Sequence, residues 1–140
     1  MKKYVLCFVI DDKNNFVGLT KNRGWDFLIG KHTFPGGKIE NEEDINVAST
    51  REFEEETGVL IPLADWFLAG RKMEDGMFDL YIMAAKSNDV DKAYTKETEF
   101  VWNGNIFEHI NKAKSTPDKY TSDFLEVTQI CLNVLNIKGE

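Results

Sequence analysis

The sequence predicts an α/β domain with a mixed β-sheet, and three features carry that reading. Short β-branched and aromatic runs recur along the chain, an acidic stretch of helical character interrupts them, and apolar residues at helical spacing close it. At 140 residues, a single domain spanning 1–140 is expected. A chain of that length buries about two-thirds of its unfolded surface without disulfide or metal staples. No internal repeat, low-complexity tract or second domain interrupts the pattern.

Residues 4–10, Tyr-Val-Leu-Cys-Phe-Val-Ile, are apolar at nearly every position and read as a central strand buried on both faces. Turn-forming residues 11–15 follow, and 16–20 form the hairpin partner. Asp12 and Asn14 begin like a calcium loop, but Val17 stands where the loop needs glycine and the closing glutamate is missing. Residues 21–24, Lys-Asn-Arg-Gly, make a short basic loop in an acidic chain. Arg23 there is a candidate for phosphate contact, since arginine grips phosphate oxygens in pairs. Phe27 is expected in the core, and Trp25 serves either the core or a stacking platform. In Phe34-Pro35-Gly36-Gly37-Lys38 the glycines let backbone approach a ligand closely.

A helix is expected to open on Asn41 as N-cap, to turn Ile45, Ala48 and Phe53 towards the sheet, and to stop at Gly58. After it, 59–61 and Pro62 suggest a new edge strand. Residues 66–70 and 77–85 read as antiparallel strands around the turn Glu74-Asp75-Gly76, with Phe78, Leu80, Ile82 and Ala84 on one face. A polar loop, 86–96, is expected to be mobile, followed by a last strand over 97–102 and a short helix over 106–113. Thr116 and Pro117 look like N-cap and first residue of a final helix. Phe124, Val127, Cys131 and Leu135 keep its period, with Leu125 and Leu132 beside them.

The net charge of −7, from 24 acidic against 17 basic residues, argues against a sequence-independent grip on duplex nucleic acid or an anionic membrane. It leaves room for a small nucleotide, which needs only a local cationic patch. The apolar run at 4–10 is too short for a membrane span or a signal core. Cys7 and Cys131 lie in apolar and amphipathic runs without metal-ligand spacing. That pattern favours free thiols and a cytoplasmic location.

Within 37–59 the sequence breaks its own local rules. Glu52, Glu55 and Glu56 share one helical face at spacings where like charges repel by about 0.2–0.5 kcal/mol per pair. Glu54 to Glu56 also crowd the helix end where the macrodipole disfavours anions. Such violations mark a site, and a hard divalent cation is the natural compensation. Mg²⁺ prefers oxygen ligands and meets a few carboxylates together with substrate phosphates.

The same stretch carries a resemblance. Gly37, five residues, Glu43, seven residues, then Arg51-Glu52-Phe53-Glu54-Glu55-Glu56-Thr57-Gly58-Val59 is similar, position for position, to the Nudix box. That pattern is a glycine, five residues, a glutamate, seven residues, then Arg-Glu-U-x-Glu-Glu-x-Gly-U, with U bulky and apolar; Phe53 is an aromatic variant of the first U. With residue frequencies of about 5–10% each, a chance match in so short a chain is on the order of one in a hundred thousand or rarer.

The resemblance implies an α/β/α sandwich and hydrolysis of a pyrophosphate bond in a nucleoside diphosphate linked to a further moiety, using Mg²⁺ or Mn²⁺. It implies Glu52, Glu55, Glu56 and the Gly36 carbonyl as metal ligands, and Arg51 holding a glutamate in place. Gly37, Glu43 and Gly58 are the structural positions of the box. Glu97 and Glu99 both stand where many relatives carry an extra glutamate, as ligand or general base, and spacing does not choose between them. Lys38 resembles a phosphate-contacting lysine.

The motif 34–40, FPGGKIE, resembles the MutT-type group acting on nucleoside triphosphates. ADP-ribose, dinucleoside polyphosphates or capped RNA ends form the second reading. The proline of the ADP-ribose group is absent at 73–74, and the tyrosine of the dinucleoside polyphosphate group is missing at 74–76. A binding module without catalysis, the third reading, ordinarily loses box glutamates, and here they are intact. For reading the base the sequence offers Trp25 before the box and Asn103 and Asp118 beyond the last strand. The expected partner is a small-molecule nucleotide, with a homodimer left open.

Overall fold

The structure, a computed structural model, describes residues 2–139. Seven strands form one mixed sheet: β1 (Lys2–Ile10), β2 (Asn15–Thr20), β3 (His32–Thr33), β4 (Gly36–Lys38), β5 (Phe67–Glu74), β6 (Phe78–Lys86) and β7 (Phe100–Asn105). The helices are α1 (Ile45–Thr57), α2 (Ile106–Ser115) and α3 (Phe124–Val134).

Asp11 sets how the first two strands meet. Its carboxylate accepts from the amides of Lys13 (2.9 Å) and Asn15 (2.8 Å), and Asn14 takes a φ of 67°, so the chain reverses tightly. The hairpin then splays at once. Ile10 and Phe16 are its register pair; β2 pairs with β7 along its whole length, and its last two residues, Leu19 and Thr20, with β3. The edge that β2 leaves open on β1 is taken by β4, with Leu6 opposite Gly36 and Tyr4 opposite Lys38. Along its other edge β1 runs parallel to β6 for its whole length, and β5 closes that side as an antiparallel neighbour of β6.

Side-chain alternation along β1 and β6 builds two cores. Val5, Cys7 and Val9, with Met83 and Ala85, pack under Ala48 and Phe53 of α1. Phe8 and Ile10, with Ile82 and Ala84, pack against Phe124, Val127 and Cys131 of α3 and Ile106 of α2. One helix on one face and two on the other make the α/β/α sandwich, and both cysteines are buried free thiols.

Several boundaries differ from the sequence reading, each for a local reason. Asp44, not Asn41, caps α1, accepting from the Asn46 amide at 3.1 Å. No strand forms over 59–62 among the described residues. Side chains of α1 satisfy that backbone instead, Thr50 donating to the Ile61 carbonyl (2.7 Å) and Asn46 to that of Leu63 (2.9 Å). The last strand is displaced to Phe100–Asn105, because Thr98 and Glu99 are engaged with the loop 21–31. Pro117 opens only a short 3-10 turn, Pro117–Lys119, and the final helix starts at Phe124, leaving Leu125 partly exposed. Phe27 lies outside the core, 63% exposed, its ring 5.4 Å from that of Trp25. The loop expected to be mobile is pinned: Val90 is fully buried, and the amides of Tyr94 (3.0 Å) and Lys96 (3.3 Å) donate to the carbonyls of Thr57 and Glu56.

Candidate active site

The splay between β1 and β2 opens a cleft of about 690 Å³ beside β4. Glu52 and Glu56, one turn apart on α1, line it together with Gly36, Gly37 and Lys38 of β4. Loop 21–31 contributes Lys21, Arg23 and Leu28, and the segment before β7 contributes Glu97 and Glu99. Phe34 and the triplet Thr121-Ser122-Asp123 also line it. Glycines fit this wall closely. A β-carbon on Gly37 would overlap the Glu52 carboxylate, and one on Gly36 would overlap the Val5 carbonyl.

Arg51 organises the acidic side. Its guanidinium donates to both oxygens of Glu43 (2.7 and 2.8 Å), to Glu52 (2.9 Å), to Glu55 (3.4 Å) and to the Lys38 carbonyl (3.0 Å). Glu43 also accepts from the Glu40 amide at 3.0 Å. One arginine thereby fixes loop 38–43 to the helix, a geometry that lysine's point charge could not copy. The hydrogen bonds from Arg51 hold the Glu43 carboxyl below the usual range. Gly58 ends the helix in the left-handed region, φ 77°, and its missing side chain leaves room for the ring of Tyr94.

Glu56 is the most perturbed carboxyl of the cleft. Burial pushes its pKa up to about 8, and the charges of Glu52, Glu99 and Glu97 push the same way, against the stabilising Gly36 amide at 2.8 Å. Burial also raises Glu52, in spite of Arg51. Glu55 stands apart from this wall, half-exposed on Arg51.

The two acids before β7 differ. Glu99 is buried and engaged, accepting from Lys21 Nζ (3.1 Å) and the Asn22 amide (3.1 Å), with Arg23 Nε at 3.7 Å. Glu97 has no hydrogen-bond or ion-pair partner among the described residues. Arg23 and Lys38 line the cleft, whereas Trp25 lies in a neighbouring groove. Asn103 and Asp118 lie outside the cleft lining. Asn103 sits opposite Val17 in the β2–β7 ladder, and Asp118 occupies the 3-10 turn, its carbonyl taking Lys31 Nζ.

Sequence reasoning missed Thr121 and Asp123. The signal was available: Thr-Ser-Asp directly before an apolar periodic run marks a helix start, but Pro117 drew the boundary too early. Asp123 is the N-cap residue of α3 yet makes no side-chain capping bond, and the Thr121 hydroxyl is buried without a partner.

A metal would have to suit these carboxylates. Their hard oxygen donors are of the right chemistry for Mg²⁺ or Mn²⁺, and a cation would offset the burial and the neighbouring charges that together raise Glu56. As the side chains stand, no three of them close on a common point among the described residues, because Arg51 holds Glu52 and Glu55 and the Gly36 amide holds Glu56.

A mixed-sheet sandwich with an arginine-braced acidic helix at a cleft describes a hydrolase of phosphoanhydrides. The NUDIX domain model matches residues 2–115, so the chain belongs to the NUDIX family, as a pyrophosphohydrolase. Solved structures share the fold. A NUDIX hydrolase from Alicyclobacillus acidocaldarius aligns with a TM-score of 0.72 at 14% identity, over 94% of this chain and 91% of that one. A MutT structure from work on Aliivibrio salmonicida and Vibrio cholerae aligns with a TM-score of 0.66 at 20% identity, over 93% and 95%. A protein from Deinococcus radiodurans gives a TM-score of 0.69 at 13% identity, over 93% and 82%. No curated protein matches the chain by sequence.

Proposed function

We propose that the protein hydrolyses a pyrophosphate bond of a nucleoside triphosphate in a reaction dependent on Mg²⁺ or Mn²⁺. The observation that supports this is a single cleft in which Glu52 and Glu56 face Lys21, Arg23 and Lys38 beside an apolar wall at Leu28 and Phe34. The likeness to a structure described as MutT points the same way.

Glu52, Glu55, Glu56 and the Gly36 carbonyl would hold the cation, which neutralises phosphate charge and polarises the phosphoryl oxygen when bound. Glu52 and Glu55 must then give up part of their hydrogen bonding to Arg51, while Glu43 keeps its pair. Arg23 and Lys38 orient the phosphates. Glu97, the acid without a partner, takes the proton of the attacking water. Glu99 does not compete for that role, because it secures Lys21 and the base of the basic loop.

The base lies against Phe34, where the Thr121 hydroxyl and the Asp123 carboxylate meet its edge. A carboxylate only accepts, so it favours a guanine-type edge carrying adjacent N–H donors. Modest selectivity follows, since one carboxylate and one hydroxyl make a small set of contacts. A panel of nucleotides incubated with Mg²⁺, with products separated by chromatography, tests the reading. Triphosphates should be cleaved ahead of ADP-ribose; cleavage of ADP-ribose with triphosphates ignored would replace the substrate while leaving the metal chemistry in place.

A further inference from the structure

Behind the cleft wall four rings close on one another. His32 of β3, Trp102 of β7, His109 of α2 and Tyr120 stand in a circuit, with successive centroids 5.3, 4.7, 6.0 and 5.0 Å apart. Two strand glycines make room for it: a β-carbon on Gly18 would overlap the Trp102 ring, and one on Gly104 would crowd His109 Nε2. Hydrogen bonds tie the rings together. Trp102 Nε1 donates to Thr20 Oγ1 at 2.9 Å, the Thr20 hydroxyl meets His32 Nδ1 at 2.8 Å, and that of Tyr120 meets His109 Nδ1 at 2.7 Å. Burial holds both imidazoles below their usual range, so each stays neutral and its Nδ1 accepts the hydroxyl proton.

The circuit meets the cleft at two places in the chain. His32 directly precedes Thr33 and Phe34, Tyr120 directly precedes Thr121-Ser122-Asp123, and all five following residues line the cleft. Polar ties between the segment 116–123 and the sheet side are few among the described residues. They are the bridge of Tyr120 to His32, the Thr121 amide on the His32 carbonyl (3.0 Å) and Lys31 Nζ on the Asp118 carbonyl. The Thr121 hydroxyl has no partner and Asp123 makes no capping bond, so neither is fixed by its own side chain. Their placement falls to Tyr120, buried at 5% exposure with its ring 4.6 Å from that of Phe124. A ring packed among rings keeps freedom to slide, whereas a hydroxyl bonded to α2 fixes it at one point.

We propose that His109 and Tyr120 are positioning residues for base selection: the phenol, held by the imidazole, sets Thr121 and Asp123 where they meet the edge of the base. Neither lines the cleft, so both act through the segment that does. The inference rests on the functional reading above in placing the base against Phe34, Thr121 and Asp123.

GMP and IMP carry a base without an anhydride bond, so their binding, read by calorimetry, needs no turnover. IMP lacks the 2-amino group from which a carboxylate accepts. The parent should favour GMP over IMP by about tenfold or more, the scale of a hydrogen bond to a charged group, and Tyr120→Phe and His109→Leu should bring that ratio to within about twofold. In turnover of GTP with Mg²⁺ both variants should raise KM and keep kcat within about twofold of the parent, the mark of lost binding and not of lost chemistry. His109→Asn, whose amide oxygen can stand near the place of Nδ1, should keep the preference for GMP. Val127→Ala, which loosens the same core, should lower Tm and leave the ratio alone. A Tyr120→Phe protein with the parent's ratio, a parent without preference for GMP, or a His109→Asn protein as indifferent as His109→Leu overturns the proposal, whether or not triphosphates are hydrolysed. The expected ratios in a protein that cleaves no triphosphate would sink the catalytic reading and leave the positioning role standing.

Discussion

The two faces of the sheet are stabilised by opposite means. On the α2/α3 face, rings stack in an unbroken series. Phe34 and Phe124 lie 4.9 Å apart and nearly parallel, with Phe8 and Phe16 at the edges of Phe34 and Tyr120 against Phe124. Its polar groups largely answer one another. The Tyr120 hydroxyl bonds His109 Nδ1 at 2.7 Å, and Thr20 joins His32 and Trp102 at 2.8 and 2.9 Å. On the α1 face the centre is equally apolar, but the rim facing the cleft holds Glu52 and Glu56, which burial pushes up first and neighbouring carboxylates push further. One face satisfies nearly all its own polar groups, the Thr121 and Thr128 hydroxyls excepted, while the other keeps carboxylates raised by burial at the cleft. Stability and activity should therefore come apart according to the face that is altered.

The largest separation should come from metal. Excess chelator is expected to reduce hydrolysis to background while the protein stays folded, and added Mg²⁺ should raise Tm by mass action. Phe124→Ala, in the aromatic face, should cost about 3–5 kcal/mol in denaturant unfolding yet keep both the metal requirement and the Mg²⁺-induced rise in Tm. A Phe124→Ala protein indifferent to metal would break the division.

Glu56→Gln should produce the reverse pattern. Loss of a ligand carboxylate is expected to lower kcat by on the order of a hundredfold or more. Metal-free Tm should stay level near neutral pH, where the raised pKa leaves the carboxyl largely protonated already, and exceed the parent's above pH 8. An unfolded Glu56→Gln protein would mean that the carboxylate holds the fold together.

A smaller and more pointed contrast lies between Glu97 and Glu99. Glu97→Gln should lower kcat by on the order of a hundredfold, as expected for removal of a general base, with KM little changed. Glu99→Gln should act mainly on KM, by freeing Lys21 and loosening the basic loop, and steady-state kinetics of both variants decides the matter. If both keep the parent rate, the proton acceptor is a box glutamate.

The gentlest probe is pH. Glu56, raised from 4.5 to about 8, binds its proton more tightly when folded, so its contribution to metal-free stability is complete below pH 4.5 and disappears as pH rises towards 8. His109 is lowered from 6.5 to about 4, by burial first and then by Lys112. It has the opposite sign, its contribution present above pH 6.5 and lost as pH falls towards 4. Urea midpoints across pH should show the alkaline decline in the parent and not in Glu56→Gln. A decline that survives the substitution would assign it to another group.

How far the sequence could be read follows the same division. The box was legible because its residues break helix preferences at fixed spacing, which little besides a site explains. Residues 4–10 were legible because a strand covered on both faces must be apolar throughout, and 77–85 because Phe78, Leu80, Ile82 and Ala84 alternate onto one face after a turn signal. The base end of the cleft was not, because Thr121 and Asp123 reach it only through packing of β3 against the segment before α3, where the Thr121 amide donates to the His32 carbonyl at 3.0 Å. Phe27 looked like core because hydropathy does not reveal that a loop closed on itself at 21 and 31 holds its tip away from the sheet. Glu97 and Glu99 are two residues apart and of one chemistry; only the position of Lys21 separates them.

The pairing of β1 bears on how the molecule comes into being. The first strand meets its full-length neighbour only when Lys2 lies beside Phe78 and Ile10 beside Lys86, so the middle of the sheet closes across a long stretch of chain. Contacts so distant in sequence make for slow folding, because loop entropy is lost before the contact is gained. On the ribosome, this apolar strand is made well before β6 and waits for its partner. Its early neighbours are the single register pair with β2 and the short β4. Residues 4–10 are thus an apolar segment left without its main partner until β6 is made, and one whose exposure would make a slowed or truncated synthesis prone to aggregate.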